Sequence, residues 1–229
     1  MINNTFIIVP VYNEQEVIGT VLQKIKKFFL SSNIICVDDG SSDNSVNEII
    51  KEKVVLLRHI INLGQGAAIH TGIQYALKMN AKYFVTFDSD GQHSIVDAKK
   101  MLNFLVKKKL NIVLGSRFLK IKSKKKIPIL RSIILFWAIK LSNLFYGIKL
   151  SDTHNGLRVF DFKFAKTLKI RMIGMSHPAE FVVNIKKNKF FYAEYPTNIN
   201  YTKYSISKGQ ANINSFNILF DMLINKIKY

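Results

Sequence analysis

One pattern recurs along this 229-residue chain and limits its fold more than any other. A short apolar run rich in β-branched residues ends in a polar loop carrying glycine or acid, and an amphipathic stretch follows. The runs lie at 5–10, 33–37, 54–58, 82–87 and 111–115. Their loops are Val11-Tyr-Asn-Glu14, Asp38-Asp-Gly-Ser-Ser-Asp43, residues 59–66, Asp88-Ser-Asp-Gly-Gln-His93 and Ser116-Arg117. Between them, residues 15–30 place Val17, Ile18, Val21, Leu22, Ile25, Phe28 and Phe29 close to the spacing of one buried helix face. Helices are also predicted from Ser42 or Asp43 as cap through Lys51, over 67–79, and over 94–109, where Ile95, Ala98, Met101, Leu102 and Leu105 face inward. Strand–helix alternation with short links makes an α/β fold, a mainly parallel sheet with helices on both faces. In such a sheet ligands bind outside the carboxyl ends of the strands, where all these loops fall.

The richest of the loops is Asp88-Ser-Asp90-Gly-Gln92-His93. Two carboxylates one residue apart leave a buried strand at a glycine turn, with an amide and an imidazole close behind. That set suits a hard divalent cation bound through oxygen, and such an ion can neutralise a departing diphosphate. Asn62-Leu-Gly-Gln-Gly66 turns into a helix N-terminus, but its spacing is not that of a dinucleotide fingerprint. Beyond Arg117 comes the lysine run 120–126, then an apolar segment over 127–150. Arg131 and Lys140 leave eight uncharged residues between them, against the roughly 20 that a spanning helix needs. The segment therefore reads as an amphipathic helix, packed on the domain or lying at a bilayer surface. A second one is predicted at 213–228, and a strand at 190–199 before the polar loop holding Lys203 and Lys208.

Composition narrows the partners. The formal net charge is +19, which could signal nucleic acid. Its lysines are spread over exposed helix faces, however, with no recognition helix or RNA platform, so membrane surface or phosphate is expected and nucleic acid is not. Cys36 is the one cysteine and falls inside a strand, which reads as an inert buried thiol in a reducing cytoplasm. The apolar N-terminus reads as a first strand, not a cleavable signal. The length suits one domain.

Val9-Pro-Val-Tyr-Asn-Glu14, Val37-Asp-Asp-Gly-Ser-Ser-Asp43, Asn62-Leu-Gly-Gln-Gly66 and Asp88-Ser-Asp-Gly-Gln-His93 together resemble the family 2 glycosyltransferases of the GT-A fold. Within them the likeness is to the polyprenyl-phosphate sugar transferases, dolichol-phosphate mannose synthase among them, over about residues 5–200. The resemblance implies a Rossmann-like GT-A catalytic domain over 1–229, with a nucleotide-sugar and metal half at 1–116, an acceptor half at 117–210 and a terminal helix at 211–229. It implies a nucleoside-diphosphate sugar donor, Mg²⁺ or Mn²⁺, and inversion at the anomeric carbon. Carried over, Pro10, Tyr12 and Glu14 line the nucleoside pocket, Asp39 accepts from a base N–H, and Gly64 brings backbone to the donor. Asp88 touches ribose or sugar, while Asp90 binds the metal with Gln92 as neighbouring ligand; His93 is a loop histidine.

Arg117 and Arg131 match arginines that hold the acceptor phosphate in those relatives, a task suited to the guanidinium fork. Asp152, in Asp152-Thr-His-Asn-Gly156, faces the donor sugar. For a hydroxyl acceptor it would be the general base, with His154 a competitor; for a phosphate acceptor it would bind sugar hydroxyls. Glu180 lies near enough in the pattern to reach the sugar. The expected activity is sugar transfer to a polyprenyl phosphate by a peripheral protein at the inner face of the cell membrane. The alternatives are transfer to a sugar hydroxyl of a lipid-linked glycan or polysaccharide, and, in a different class, nucleotidyl transfer. The last lacks its Gly-rich basic loop after the first strand.

Overall fold

A computed structural model describes residues 2, 4–119, 148–171 and 177–200. Arg131, the lysine run, most of the 127–150 segment, the loop with Lys203 and Lys208, and the helix expected at 213–228 lie outside the described residues.

The expected alternation is present. In order come β1 (Thr5–Val11), α1 (Ile18–Lys26), β2 (Ile34–Asp38), α2 (Ser45–Lys51), β3 (Val55–Arg58), α3 (Gln65–Lys78), β4 (Tyr83–Thr86), α4 (Ile95–Lys108) and β5 (Ile112–Ser116). After the gap follow β6 (Arg158–Asp161), α5 (Phe162–Thr167), α6 (Pro178–Asn188) and β7 (Tyr192–Pro196). The strands form one seven-stranded sheet ordered β3-β2-β1-β4-β6-β5-β7. All neighbours pair parallel except β6, which runs antiparallel to both β4 and β5.

Two-residue alternation sorts the core onto the two faces. Phe6, Ile8, Phe84 and Phe160 join Ala68, Ile69 and Ile73 of α3 and Phe181 of α6 on one side. Ile7, Val9, Val85 and Val159 meet Ile18 and Leu22 of α1 and Met101 and Leu102 of α4 on the other. Burying each of the large side chains contributes about 1.5–3 kcal/mol. On the first face α3 lies close to β1, since a Cβ at Gly72 would meet Ile8 Cγ2 at 2.5 Å. Among the described residues no helix is long and apolar enough to cross a membrane.

Four elements differ from expectation. Helix α1 stops at Lys26, and Phe28 and Phe29 turn back with their N–H groups on the Ile25 carbonyl. Strand β7 is shorter than the predicted 190–199. Strand β6 and helix α5 were not anticipated: Arg158-Val-Phe-Asp161 is four residues with a charge at each end, so no apolar run announces it. The β4 and β5 ladders impose the strand by pairing its backbone on both sides. As a result a strand of the expected acceptor half is inserted into the sheet of the donor half.

Candidate active site

The parallel strands bring Val11, Asp38 and Thr86 to one edge of the sheet. Because β6 runs the other way, it presents its first residue there, with Arg158 opposite Thr86 and Leu114. Loops from every central strand therefore meet at this edge.

On the β1–β2 side two loops are laced together. Asn13 N–H donates to Ser41 Oγ (3.0 Å), Glu14 N–H to Ser45 Oγ (2.7 Å), and Ser42 N–H to Asn13 Oδ1 (2.9 Å). Asp43 accepts from Ser45 N–H at the head of α2 and from Gln15 N–H. Pro10 is buried within β1, Glu14 is buried beside the edge, and Tyr12 stands 47% exposed, open to a planar ring. Asp39 is buried and well occupied: it accepts from Leu63 N–H (3.0 Å) and Gly64 N–H (2.7 Å) and contacts His59 Nδ1 at 2.7 Å. His59 Nε2 lies 2.9 Å from Thr71 Oγ1 of α3. Gly64 caps α3 with φ of 95°, a conformation that favours glycine. The resemblance gave Asp39 and Gly64 separate roles toward the donor; in the structure the Asp39 carboxylate fastens the glycine turn.

At the end of β4 the two carboxylates of the acidic pair have different surroundings. Asp88 Oδ2 bonds His93 Nε2 (2.8 Å) and Oδ1 accepts from Gln65 Nε2 (3.1 Å). Burial opposes its ionisation, but the charge and hydrogen bond of His93, then Arg158 and His177, hold it below the usual carboxylate range. Asp90 accepts from Gln92 N–H at 3.0 Å, and burial followed by the Asp88 charge, with Glu14 adding to it, pushes its carboxyl up to about 6. Gly156 lies directly behind Asp88, where a Cβ would overlap the carboxylate. The segment after β7 crosses this loop, Asn200 N–H donating to the Gln92 carbonyl (3.0 Å) and Ile199 bridging to His93. Among the described residues no three of His, Cys, Asp and Glu gather as a ready cage for a metal. The carboxylate oxygens of Asp88 and Asp90, one residue apart, still fit Mg²⁺ or Mn²⁺, which take much of their coordination from water and substrate phosphate.

The β5–β6 side is knit around Asp152, which is 1% exposed. Arg117 grips it with Nε on Oδ2 (2.7 Å), Nη2 on Oδ1 (2.8 Å) and its backbone N–H on Oδ2 (3.1 Å). Burial works against the charge, yet Arg117 overcomes it and keeps the Asp152 carboxyl below its ordinary range. Glu194 of β7 accepts from the N–H groups of Ser151 (2.9 Å) and Asp152 (3.0 Å) and from Ser151 Oγ (2.8 Å), fixing the turn. Burial drops the His154 imidazole to about 4, so it is neutral. Glu180, at the head of α6, is buried and accepts from Arg171 N–H (2.8 Å). Motif reading did not single out Arg158, Gln65, His59, Gly156 or Glu194. Gln65 and Gly156 stood inside quoted motifs, whereas Glu194 has no local signal, since it acts from β7 across the sheet.

Comparison with known proteins identifies the family. The model for "Glycosyl transferase family 2" matches residues 6–169. The chain is 35% identical over 224 residues to an uncharacterized protein of Methanocaldococcus jannaschii, covering 97% of this chain and 92% of that one. It is 30% identical over 242 residues to the UDP-N-acetylglucosamine–dolichyl-phosphate N-acetylglucosaminyltransferase of Methanococcus voltae, covering 97% and 96%. In fold it is similar to glucosyl-3-phosphoglycerate synthase of Mycobacterium tuberculosis, solved with Mn²⁺, UDP and phosphoglyceric acid, at a TM-score of 0.66 and 13% identity over 96% of this chain and 77% of that one. A family match spanning most of the chain, a sheet of the GT-A type and an acidic pair at the end of β4 converge on one assignment: the chain belongs to glycosyl transferase family 2 and is a glycosyltransferase.

Proposed function

We propose that the chain transfers a sugar, with inversion, from a nucleoside-diphosphate sugar to a polyprenyl phosphate. The observation that carries this choice of acceptor is the Arg117–Asp152 pair. A hydroxyl acceptor needs a base whose pKa lies near the working pH. Asp152 is instead held ionised and weakly basic by a two-pronged guanidinium, and neutral His154 with its pKa near 4 is no better. A phosphate acceptor is already anionic and asks for positioning, not deprotonation. The Methanococcus voltae relative, named for a dolichyl-phosphate acceptor and UDP-N-acetylglucosamine, supports the same reading.

In this mechanism Tyr12 packs on the base, Pro10 and Glu14 close the nucleoside pocket, and Asp39 holds the Gly64 turn against the donor. Asp88 orients ribose or sugar. Asp90 and Gln92 would hold Mg²⁺ or Mn²⁺, which would supply positive charge to the leaving diphosphate. Arg117, with Arg131, draws the acceptor phosphate in, and the guanidinium fork then shares itself between Asp152 and the incoming anion. The net charge of +19 favours a peripheral position on an anionic membrane, at the cytoplasmic face where nucleotide sugars are found.

The test is transfer by the purified chain from UDP- and GDP-sugars, with Mg²⁺ or Mn²⁺, to undecaprenyl or dolichyl phosphate in detergent, beside lipid-linked sugars as hydroxyl acceptors. The expected products are a lipid-linked sugar monophosphate and free nucleoside diphosphate. Transfer to the hydroxyl acceptors with none to the phosphate would overturn the acceptor assignment.

A further inference from the structure

The loop between β3 and α3 carries exposed apolar side chains on the same edge of the sheet as the active site. Ile60 is 100% exposed, Ile61 64% and Leu63 40%. Single hydrophobic residues scattered over a surface are ordinary, but three within four consecutive positions of one loop form a patch. The backbone beneath them is pinned. His59 N–H donates to the Asp38 carbonyl (2.9 Å), and the Asp39 carboxylate accepts from Leu63 N–H (3.0 Å) and Gly64 N–H (2.7 Å). Between these feet the Ile61–Asn62 peptide lies against Gly40, where a Cβ would meet Ile61 C at 2.7 Å and Asn62 N at 2.8 Å. A loop held at both ends and underneath keeps its isoleucines outside the domain.

Area and charge decide what covers the tip. Three such side chains offer on the order of 300 Å², against about 800 Å² from each partner in a stable protein–protein interface. A net charge of +19 makes two copies of the chain repel and draws either one to an anionic surface. A bilayer accepts a small apolar wedge where a folded partner would need a matching surface. The basic residues lie to the same side: Arg58, its side chain 58% exposed, stands at the foot of the loop. Strand β5 runs parallel to β3, so it too ends at this edge, five strands away, and the chain passes from it towards the lysine run 120–126. We propose that residues 60–63 form a wedge that enters the headgroup–acyl boundary of an anionic bilayer and turns the carboxyl edge of the sheet towards the membrane. This rests on the membrane-bound acceptor of the reading above, and it gives that acceptor a direction of approach.

The experiment uses the full chain and vesicles of phosphatidylcholine with phosphatidylglycerol. Ile60→Cys carries an environment-sensitive fluorophore, and the buried Cys36 stays unlabelled. With vesicles the probe should shift to the blue and be quenched by lipids spin-labelled on the acyl chain. The same probe at Ile50→Cys, an exposed position on α2, should do neither. The double variant Ile60→Ser with Ile61→Ser should keep the wild-type melting temperature and lose vesicle partition roughly tenfold or more. Equal partition of wild type and the double variant, both bound, would overturn the wedge and leave the peripheral-membrane reading standing. Wild type that does not bind these vesicles would remove that reading and the wedge with it. A blue shift that follows protein concentration without lipid, with dimers in sedimentation, would assign the loop to a second copy and likewise overturn the proposal.

Discussion

Asp90→Asn should make the metal-free protein more stable while abolishing metal-dependent transfer. Burial, the Asp88 charge and the Glu14 charge raise the Asp90 carboxyl from 3.8 to about 6. A shift of about two units corresponds to about 3 kcal/mol, and part exposure with solvent screening reduces that to about 1–2 kcal/mol. Because the folded-state pKa is raised, the folded chain keeps this proton to higher pH than the unfolded chain does. The penalty is therefore absent below about 3.8, grows up to about 6 and is complete above it. Asparagine removes the charge and keeps an oxygen to accept from Gln92 N–H. In EDTA at pH 8, urea unfolding should show Asp90→Asn ahead by about 1–2 kcal/mol, and the gap should close near pH 4. Adding Mn²⁺ with UDP should stabilise wild type and leave the variant unmoved. A variant equal to or less stable than wild type at pH 8, or one that keeps near-normal turnover at limiting metal, would refute the reasoning.

Asp39→Ala removes the acceptor for Leu63 and Gly64 N–H and frees His59; it should cost about 2–4 kcal/mol in urea unfolding and weaken UDP or GDP binding more than metal binding. Gly156→Ala drives a Cβ into the Asp88 carboxylate, so nucleotide-sugar turnover should drop at least as sharply as in Asp88→Asn, measured by donor hydrolysis. Arg117→Ala strands the buried Asp152 charge and should destabilise the fold by about 3–5 kcal/mol. Arg117→Ala with Asp152→Asn should recover most of that loss while transfer to polyprenyl phosphate stays impaired, which a double-mutant cycle of stability beside activity will show.

The parts legible in the sequence were those written in local pattern. Alternation and helical spacing located β1 through β5 and the helices between them, because each element carries its own apolar periodicity. The acidic pair, Tyr12, Glu14 and the Gly64 turn were recognisable as candidates because four short motifs, each on its own loop, occur in the order that carries the family resemblance. Strand β6 was not, because Arg158 and Asp161 close both ends of a four-residue strand and its stability comes from β4 and β5. Glu194 was hidden in the same way, its partners Ser151 and Asp152 lying 43 and 42 residues away. Arg117 and Asp152 were each recognisable, but their union is a fact of tertiary structure, 35 residues apart in the chain. That union bears on the choice between the two roles considered for Asp152, general base or sugar-hydroxyl binder.

The two ends of the edge are charged to opposite purposes. At β4, burial and then repulsion from Asp88 and Glu14 lift the Asp90 carboxyl, so this end gains when a cation arrives. At β5–β6, Arg117 and Asp152 already satisfy each other, so an incoming anion gains from Arg117 just what it can win from Asp152. This asymmetry gives binding an order. On the proposed reading, metal and nucleotide sugar would bind at the β4 end, where Asp90 carries a raised pKa, and would displace no ion pair of Arg117. The acceptor must compete with a formed ion pair, and it competes better once the donor's diphosphate and metal are seated nearby and the sugar engages Asp152. On the proposed reading a chain built this way would hold donor before acceptor, with Arg117 kept on Asp152 until then.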